Sequence, residues 1–381
     1  MHVMQVIDSM HGGGAETSLL EVAPALAGRG VKTSIVTLLP DDGSLEERLD
    51  AIGLTRIRLK SRDPLGRVLE LRGLICTERP DLLHTTLAKA NVLGRIAARA
   101  TRTPVVTTLA NEDYGPEHRA NSVYGAWGVR AAQAADICTT PLTSYFHAVS
   151  ADVATVMSRR LRIPKSKIKV IYRGRDPERL GVATPDRRFQ TKSALSIDQS
   201  APVILSVARL DRQKGVDTTV EAFRRLLRVI PAAVLLIVGR PGNASAQVEA
   251  LAKGVPAIRI LGHRTDVPDL MCAADVLAFP SRWEGLGGAL VEAMALRLAF
   301  VASDIPPLVE TVGDVGWPLV PVDDGRALAE ALISVLERGA KNEAAKDAGE
   351  RRFHALFTVQ AASDGMAMLY HHVLLNARQH R

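Results

Sequence analysis

Short apolar runs alternate with helix-patterned stretches from the first residues onward. VMQVID (3–8) has the length and β-branched content of a strand. GGGAETSLLEVAPALAGRG opens on glycines and continues with apolar positions at helical spacing, and KTSIVTLL (32–39) is a second strand. DLLHTT (81–86), VVTTLA (105–110), ICTT (137–140) and IKVIY (168–172) are predicted as further strands, each preceded by a helix. Such βαβ repetition belongs to a parallel sheet covered on both faces. A polar segment with two prolines, 181–202, reads as the interdomain connection. A second series follows in VILSVARL (203–210), VLLIVG (234–239), IRILG (258–262), VLAFPS (276–281) and LAFVAS (298–303). The pattern predicts two α/β domains with doubly wound parallel sheets, over residues 1–185 and 186–359. They are expected to face each other across a cleft lined by C-terminal strand edges, where such folds bind ligands. The helical tail, about 360–381, is expected to pack back on the first domain.

Composition narrows the class. At 381 residues, 47% hydrophobic and 23% charged, the chain is an ordinary globular sequence of two domains. No apolar run reaches the ~18 residues of a membrane helix, and the N-terminus has no signal-peptide pattern. Cys76, Cys138 and Cys272 are scattered through apolar contexts, which suits reduced core thiols in the cytoplasm rather than a disulfide or metal set. Nearly all of the +7 net charge lies in residues 1–180, with 25 Lys+Arg against 19 Asp+Glu. The densest run, RRLRIPKSKIKVIYRGR (159–175), reads either as a solvated basic face or as a site for anionic lipid or phosphate. On the second reading an anionic membrane surface is a partner, and Leu161, Ile163 and Ile168 seat at the lipid interface. Nucleic acid is disfavoured by 4% aromatics and the absence of a recognition motif.

Three stretches carry candidate chemistry. HGGGAE (11–16) follows the first strand, where glycines admit a close ligand and the next helix turns N–H groups towards an anion; a ligand-free glycine turn is the alternative. In ARLDRQKG (208–215), Arg209 and Lys214 stand at the strand edge where a diphosphate suits a guanidinium fork and an ammonium. The alternative there is a surface salt bridge to Asp211. In SRWEGLGGALVEAMA (281–295), Gly287 and Gly288 open a helix after a turn holding Glu284. Glu284 suits sugar hydroxyls, and Glu292 suits the vicinal hydroxyls of a ribose. A helix cap at Glu284 and an exposed Glu292 are the bland readings, the second at odds with apolar neighbours Leu290, Val291, Ala293 and Met294.

The order of these motifs resembles the retaining glycosyltransferases of family 4, which have the GT-B fold of two Rossmann-like domains. The likeness spans nearly the whole chain, including VIYRGRDPERLG (170–181), where the family leaves its first domain. It implies transfer of a sugar from a UDP- or GDP-linked donor to a glycan, lipid-linked or small-molecule acceptor, with no metal or other cofactor. By matching positions it implies that Arg209 and Lys214 hold the diphosphate, aided by a backbone N–H of Gly13 or Gly14. Glu284 then orients the transferred sugar, Glu292 binds the ribose, and GHRTDV (262–267), with Arg264, lies beside the nucleobase. Glu284, Arg209 and Lys214 are the implied catalytic residues, and Gly287 and Gly288 complete the donor set. Glu16, His84, Asn111 and Glu112 are candidates for the acceptor side, His84 alternatively being a core histidine. Ala110 stands where the family often has histidine, and LRLAF (296–300) replaces its usual Gly-x-Pro. A nucleotide-sugar epimerase or hydrolase of this fold, a non-catalytic GT-B scaffold and a dinucleotide-dependent oxidoreductase are the competing readings. The expected location is cytoplasmic, including the inner membrane face.

Overall fold

A computed structural model describes residues 1–381 apart from 12, 42, 44, 123–124, 339–341 and 380–381. The chain divides into unit 1, Met1–Gly174 with Thr358–Arg381, and unit 2, Arg175–Phe357.

Unit 1 is built on seven strands: β1 (His2–Ile7), β2 (Lys32–Thr37), β3 (Arg56–Arg58), β4 (Leu82–Thr86), β5 (Val105–Leu109), β6 (Tyr145–Ala148) and β7 (Ile168–Val170). Their order is β3-β2-β1-β4-β5-β6-β7, all parallel. The order reverses between β1 and β4, which sets a switch point there. Val3, Met4, Val6 and Ile7 are fully buried, as a strand covered on both faces requires. The C-terminal helix Val359–Gln379 joins this unit, packing on helix Gly14–Ala27 and burying Tyr370 and Val373 among Val3, Leu26, Val31 and Leu82.

A chain of buried polar groups ties that helix to four strands and the residue after a fifth. Gln5 Nε2 donates to Tyr370 OH (3.0 Å), which meets His84 Nδ1 (2.7 Å). His84 Nε2 meets Thr108 Oγ1 (2.7 Å), Thr108 meets His147 Nδ1 (3.1 Å), and His147 Nε2 meets the Ile171 carbonyl (2.9 Å). A carbonyl only accepts, so His147 carries its proton on Nε2 and its Nδ1 accepts from Thr108. Thr108, having given its proton, accepts from His84 Nε2, and His84 Nδ1 accepts from Tyr370. Every member is satisfied with both rings neutral, in keeping with burial pulling both pKa values down, that of His147 to about 4.

Unit 2 holds six strands: β8 (Val203–Val207), β9 (Val234–Val238), β10 (Ile258–Gly262), β11 (Val276–Phe279), β12 (Ala299–Ser303) and β13 (Leu319–Val320). They run parallel in the order β10-β9-β8-β11-β12-β13, so the switch point falls between β8 and β11.

Four expectations need correction. ICTT is not a strand: residues 137–139 finish helix Gly125–Thr139, and the strand beyond it is β6. Buried Arg95, bound to Asp136 and Thr139, ties the end of that helix to the neighbouring helix Ala88–Thr101. Segment 181–202 contains helix Pro185–Ala194, capped by Thr184 and packed on helix Val267–Ala273, with Arg187 bound to Asp269 and Arg188 to Asp275. The division therefore falls at 174–175 rather than at 185–186. Leu161 and Ile163 are core residues packed with Phe146, Val149 and Met157, and Ile168 is partly buried against them, so none is offered to a lipid. Arg159, Arg162, Lys165, Lys167 and Lys169 are exposed, whereas Arg160 donates to the Glu112 and Asp113 carbonyls at 2.8 and 2.7 Å. Among the described residues no helix is long and apolar enough to cross a membrane.

Candidate active site

The two loops at the unit 2 switch point carry the residues singled out in the sequence. After β8, a short turn Arg212–Lys214 ends at Gly215, which adopts a left-handed φ of 62° and opens helix Val216–Leu226. A side chain at Gly215 would run into the Pro280 carbonyl at the end of the strand next door, so glycine lets the two loops touch. After β11, residues 280–287 lead into helix Gly288–Ala295, with Gly287 left-handed at φ 85° against Leu308.

The loops are then clamped. Arg282 N donates to Gln213 O (2.7 Å) and Gln213 Nε2 to Trp283 O (2.8 Å). The Arg282 guanidinium takes both oxygens of buried Asp217 (3.0 and 2.9 Å) and also Asp323. Within this frame Lys214 Nζ is ion-paired with Glu284 Oε1, which also accepts from Ser281 Oγ at 2.9 Å. Glu284 is buried and Lys214 only partly so, which places an ammonium at the mouth of the site and a carboxylate behind it.

Arg209 follows β8 but its side chain is 61% exposed and paired with Asp211, the local arrangement weighed as the alternative. An exposed pair of this kind contributes little to stability and yields readily to a stronger anion. Glu292 is not an exposed helix residue: its side chain is 14% exposed and accepts from Arg175 Nε at 2.6 Å. Arg264 grips Asp266 with two bonds of 2.8 and 2.5 Å in the loop after β10, which raises the arginine pKa and lowers that of the aspartate.

Sequence reasoning missed Arg175, Ser281 and the Arg282–Asp217 clamp. Arg175 stood in the quoted run RGRDPERLG without a role, and nothing in its spacing points to Glu292, which lies far along the chain. Asp217 and Arg282 look like ordinary surface charges until the loops meet.

The remaining candidates lie in unit 1. Gly13 is the N-cap of helix Gly14–Ala27, and a Cβ there would lie 2.6 Å from Glu16 Oε2. The buried Glu16 carboxylate thus folds back over the glycine turn and supplies negative charge at that helix end. Gly14 lies beside the Arg173 guanidinium. His84, in the network above, is buried with both ring nitrogens hydrogen-bonded, the arrangement of a core histidine. Asn111 accepts from Glu112 N (2.9 Å) in the loop after β5.

Glu112 sits beside Asp152 and Arg160, and burial followed by the Asp152 carboxyl pushes its pKa up to about 7. Burial and Asp136 push Asp113 up to about 7 as well. For Glu112 the folded-state value lies above the ordinary 4.5, so the fold favours the protonated carboxyl. That contribution is complete below the unfolded value and is lost as pH rises through about 7. Glu112→Gln copies the protonated form. It is expected to leave stability nearly unchanged at pH 4.5 and to raise it at pH 8 by about 1 kcal/mol, well below the full linkage value because solvent screens the partly exposed carboxyl. Urea unfolding at both pH values checks this, and an equal effect at the two would refute the assignment.

Comparison with known proteins adds to this geometry. The family described as Glycosyltransferase Family 4 matches residues 12–179, and that described as Glycosyl transferases group 1 matches residues 201–338. Over 322 residues the chain is 28% identical to the UDP-Gal:alpha-D-GlcNAc-diphosphoundecaprenol alpha-1,3-galactosyltransferase of Escherichia coli, covering 81% of this chain and 80% of the relative. It is 29% identical over 381 residues to the 2-deoxystreptamine N-acetyl-D-glucosaminyltransferase of Streptomyces fradiae, covering 87% of this chain and 85% of that one. In fold it is similar to Anabaena HepE, solved in complex with UDP and glucose. The TM-score is 0.84 at 21% identity, over 97% of this chain and 99% of that one.

Proposed function

We propose that this chain, which belongs to the group 1, family 4 glycosyltransferases and has their GT-B fold, is a metal-independent retaining enzyme using a UDP- or GDP-linked sugar. The observation that carries the reading is the Lys214–Glu284 pair clamped at the unit 2 switch point. A diphosphate outcompetes a single carboxylate for the Lys214 ammonium, and Arg209 leaves Asp211 to join it. The released Glu284 oxygen accepts from a hydroxyl of the donor sugar while Ser281 keeps the carboxylate in place. Glu292 takes the ribose, and the Arg264 loop borders the base. In the reaction the bond from the anomeric carbon to the phosphate oxygen breaks and an acceptor hydroxyl oxygen bonds that carbon, with retention. The hydroxyl proton leaves with the nucleoside diphosphate, whose charge Arg209 and Lys214 neutralise in place of a metal.

The acceptor class is a glycan, lipid-linked or small-molecule hydroxyl compound; the Escherichia coli relative is named for a diphosphoundecaprenol-linked sugar and the Streptomyces fradiae relative for 2-deoxystreptamine. We assign the acceptor side to unit 1 around Asn111 and Glu112. Incubation with UDP- and GDP-sugars and candidate acceptors, followed by mass spectrometry, tests the whole reading. Transfer is expected to persist in EDTA. Activity lost to EDTA and restored by magnesium or manganese would remove the metal-independent part. Donor cleavage without an acceptor would point to a hydrolase, and no turnover to a scaffold.

We also assign the exposed cations Arg159, Arg162, Lys165, Lys167 and Lys169 to an anionic surface at the cytoplasmic face of the membrane. Each contributes about 1 kcal/mol near such a surface, screened by salt. The apolar contribution falls to exposed side chains such as Trp127, which lies under the Arg130 guanidinium. Sedimentation with anionic but not neutral vesicles, fading as salt rises, is the expected result; equal sedimentation with both would leave only a solvated basic face.

A further inference from the structure

We propose that Arg175 is a positioning residue that holds the Glu292 carboxylate for the donor ribose, an inference that rests on the ribose reading of Glu292 and deepens it. Arg175 is the first residue of unit 2, and its backbone N–H donates to the Phe357 carbonyl at 2.8 Å. That bond fixes the main chain from which the side chain enters the site. The side chain is 4% exposed, and its Nε donates to Glu292 Oε1 at 2.6 Å. Its Nη2 lies against Gly288, the first residue of the helix that carries Glu292, where any Cβ would collide with it.

Two physical consequences follow from this placement. A guanidinium beside a helix N-terminus faces the positive end of the dipole and is unfavourable there alone. The Glu292 carboxylate, one turn further along the same helix, offsets it, so the cation and the carboxylate require each other. Glu292 is also flanked by Leu290, Val291, Ala293 and Met294, all buried. In such surroundings an unpaired carboxylate turns towards water. Arg175 prevents this by engaging Oε1, and Oε2 is the oxygen assigned to the ribose hydroxyls. Lysine is a poor substitute, because one ammonium cannot both meet the carboxylate and fill the space beside Gly288 as the guanidinium fork does.

The experiment is calorimetry of UDP, GDP and their 2′-deoxy counterparts with the intact chain. Wild type is expected to bind its preferred ribonucleotide at least about tenfold more tightly than the 2′-deoxy form, the scale of one hydrogen bond to a charged group. Arg175→Met should bring that ratio close to one while changing 2′-deoxynucleotide affinity less than about twofold, and Arg175→Lys should recover part of it. In Glu292→Gln the further effect of Arg175→Met should vanish, since the two act through one contact. If Arg175→Met instead weakens ribo- and deoxyribonucleotide alike, Arg175 is only structural and the inference is overturned. No discrimination by wild type would overturn the ribose reading itself, and the inference with it. Should the methionine variant fail to fold, Arg175→Lys decides: an unchanged ratio there overturns the inference, and a reduced one supports it.

Discussion

Lys214→Ala is expected to lower kcat/KM by about 10²–10³, the loss that follows removal of one preorganised charge facing a leaving group. The loss has two sources. The diphosphate forfeits its ammonium, and Glu284, buried behind Lys214, forfeits its counter-charge and keeps the Ser281 hydroxyl. The second source makes the effect larger than for Arg209→Ala, because Arg209 is largely exposed and its partner Asp211 keeps the Asn243 backbone N–H as a donor. Lys214→Arg restores charge but carries a bulkier head into a turn held tight by Gly215, so partial recovery is expected. Steady-state kinetics on an identified donor is the measurement. A Lys214→Ala enzyme within threefold of wild type would exclude Lys214 from the diphosphate site. Because the Arg282–Asp217 clamp is independent of Lys214, the variant should keep its fold, which thermal unfolding verifies.

The second large effect is on stability. Tyr370→Ala should destabilise unit 1 by about 3–5 kcal/mol, as large-to-small changes of a buried aromatic do. Tyr370 is fully buried among Val3, Leu26, Val31 and Leu82, so truncation leaves a cavity between the C-terminal helix and the sheet. It also removes the one group that accepts from Gln5 and donates to His84. Tyr370→Phe keeps the ring and loses only the hydroxyl, and should cost about 1–3 kcal/mol through the two orphaned partners. Urea unfolding of the three proteins gives both numbers. A phenylalanine variant as stable as wild type would mean that the buried polar chain contributes nothing net.

Much of the architecture was legible without coordinates because parallel strands covered on both faces must be short, apolar and β-branched. VILSV, VLLIV and VLAF have no other comfortable environment in water. Where the pattern misled, another force outweighed it. Ile137, Thr139 and Thr140 have strand-like side chains, yet Asp136 and Thr139 are held by a buried arginine from the neighbouring helix. In β6, Tyr145 and His147 interrupt the apolar pattern that marks the other strands; both find partners that only the folded chain provides, Tyr145 with His372 and His147 with Thr108. β3 and β13 are edge strands of three and two residues, too short for any periodicity to register.

The candidate site divides along the same line. Residue type and spacing within one loop place Lys214 after the first strand of unit 2 and Glu284 after the fourth, because backbone geometry over a few residues is a local matter. That Lys214 meets Glu284, that Arg282 locks Asp217, and that Arg175 meets Glu292 are facts about segments 65 to 117 residues apart. The same holds for Leu161 and Ile163, whose basic neighbours suggested a surface while their own burial went unseen. Sequence by itself determined which side chains are available at each strand end. Only the tertiary structure decided which of them are neutralised, buried or aimed, because the energy of a charge depends on the neighbours and solvent that the fold brings to it.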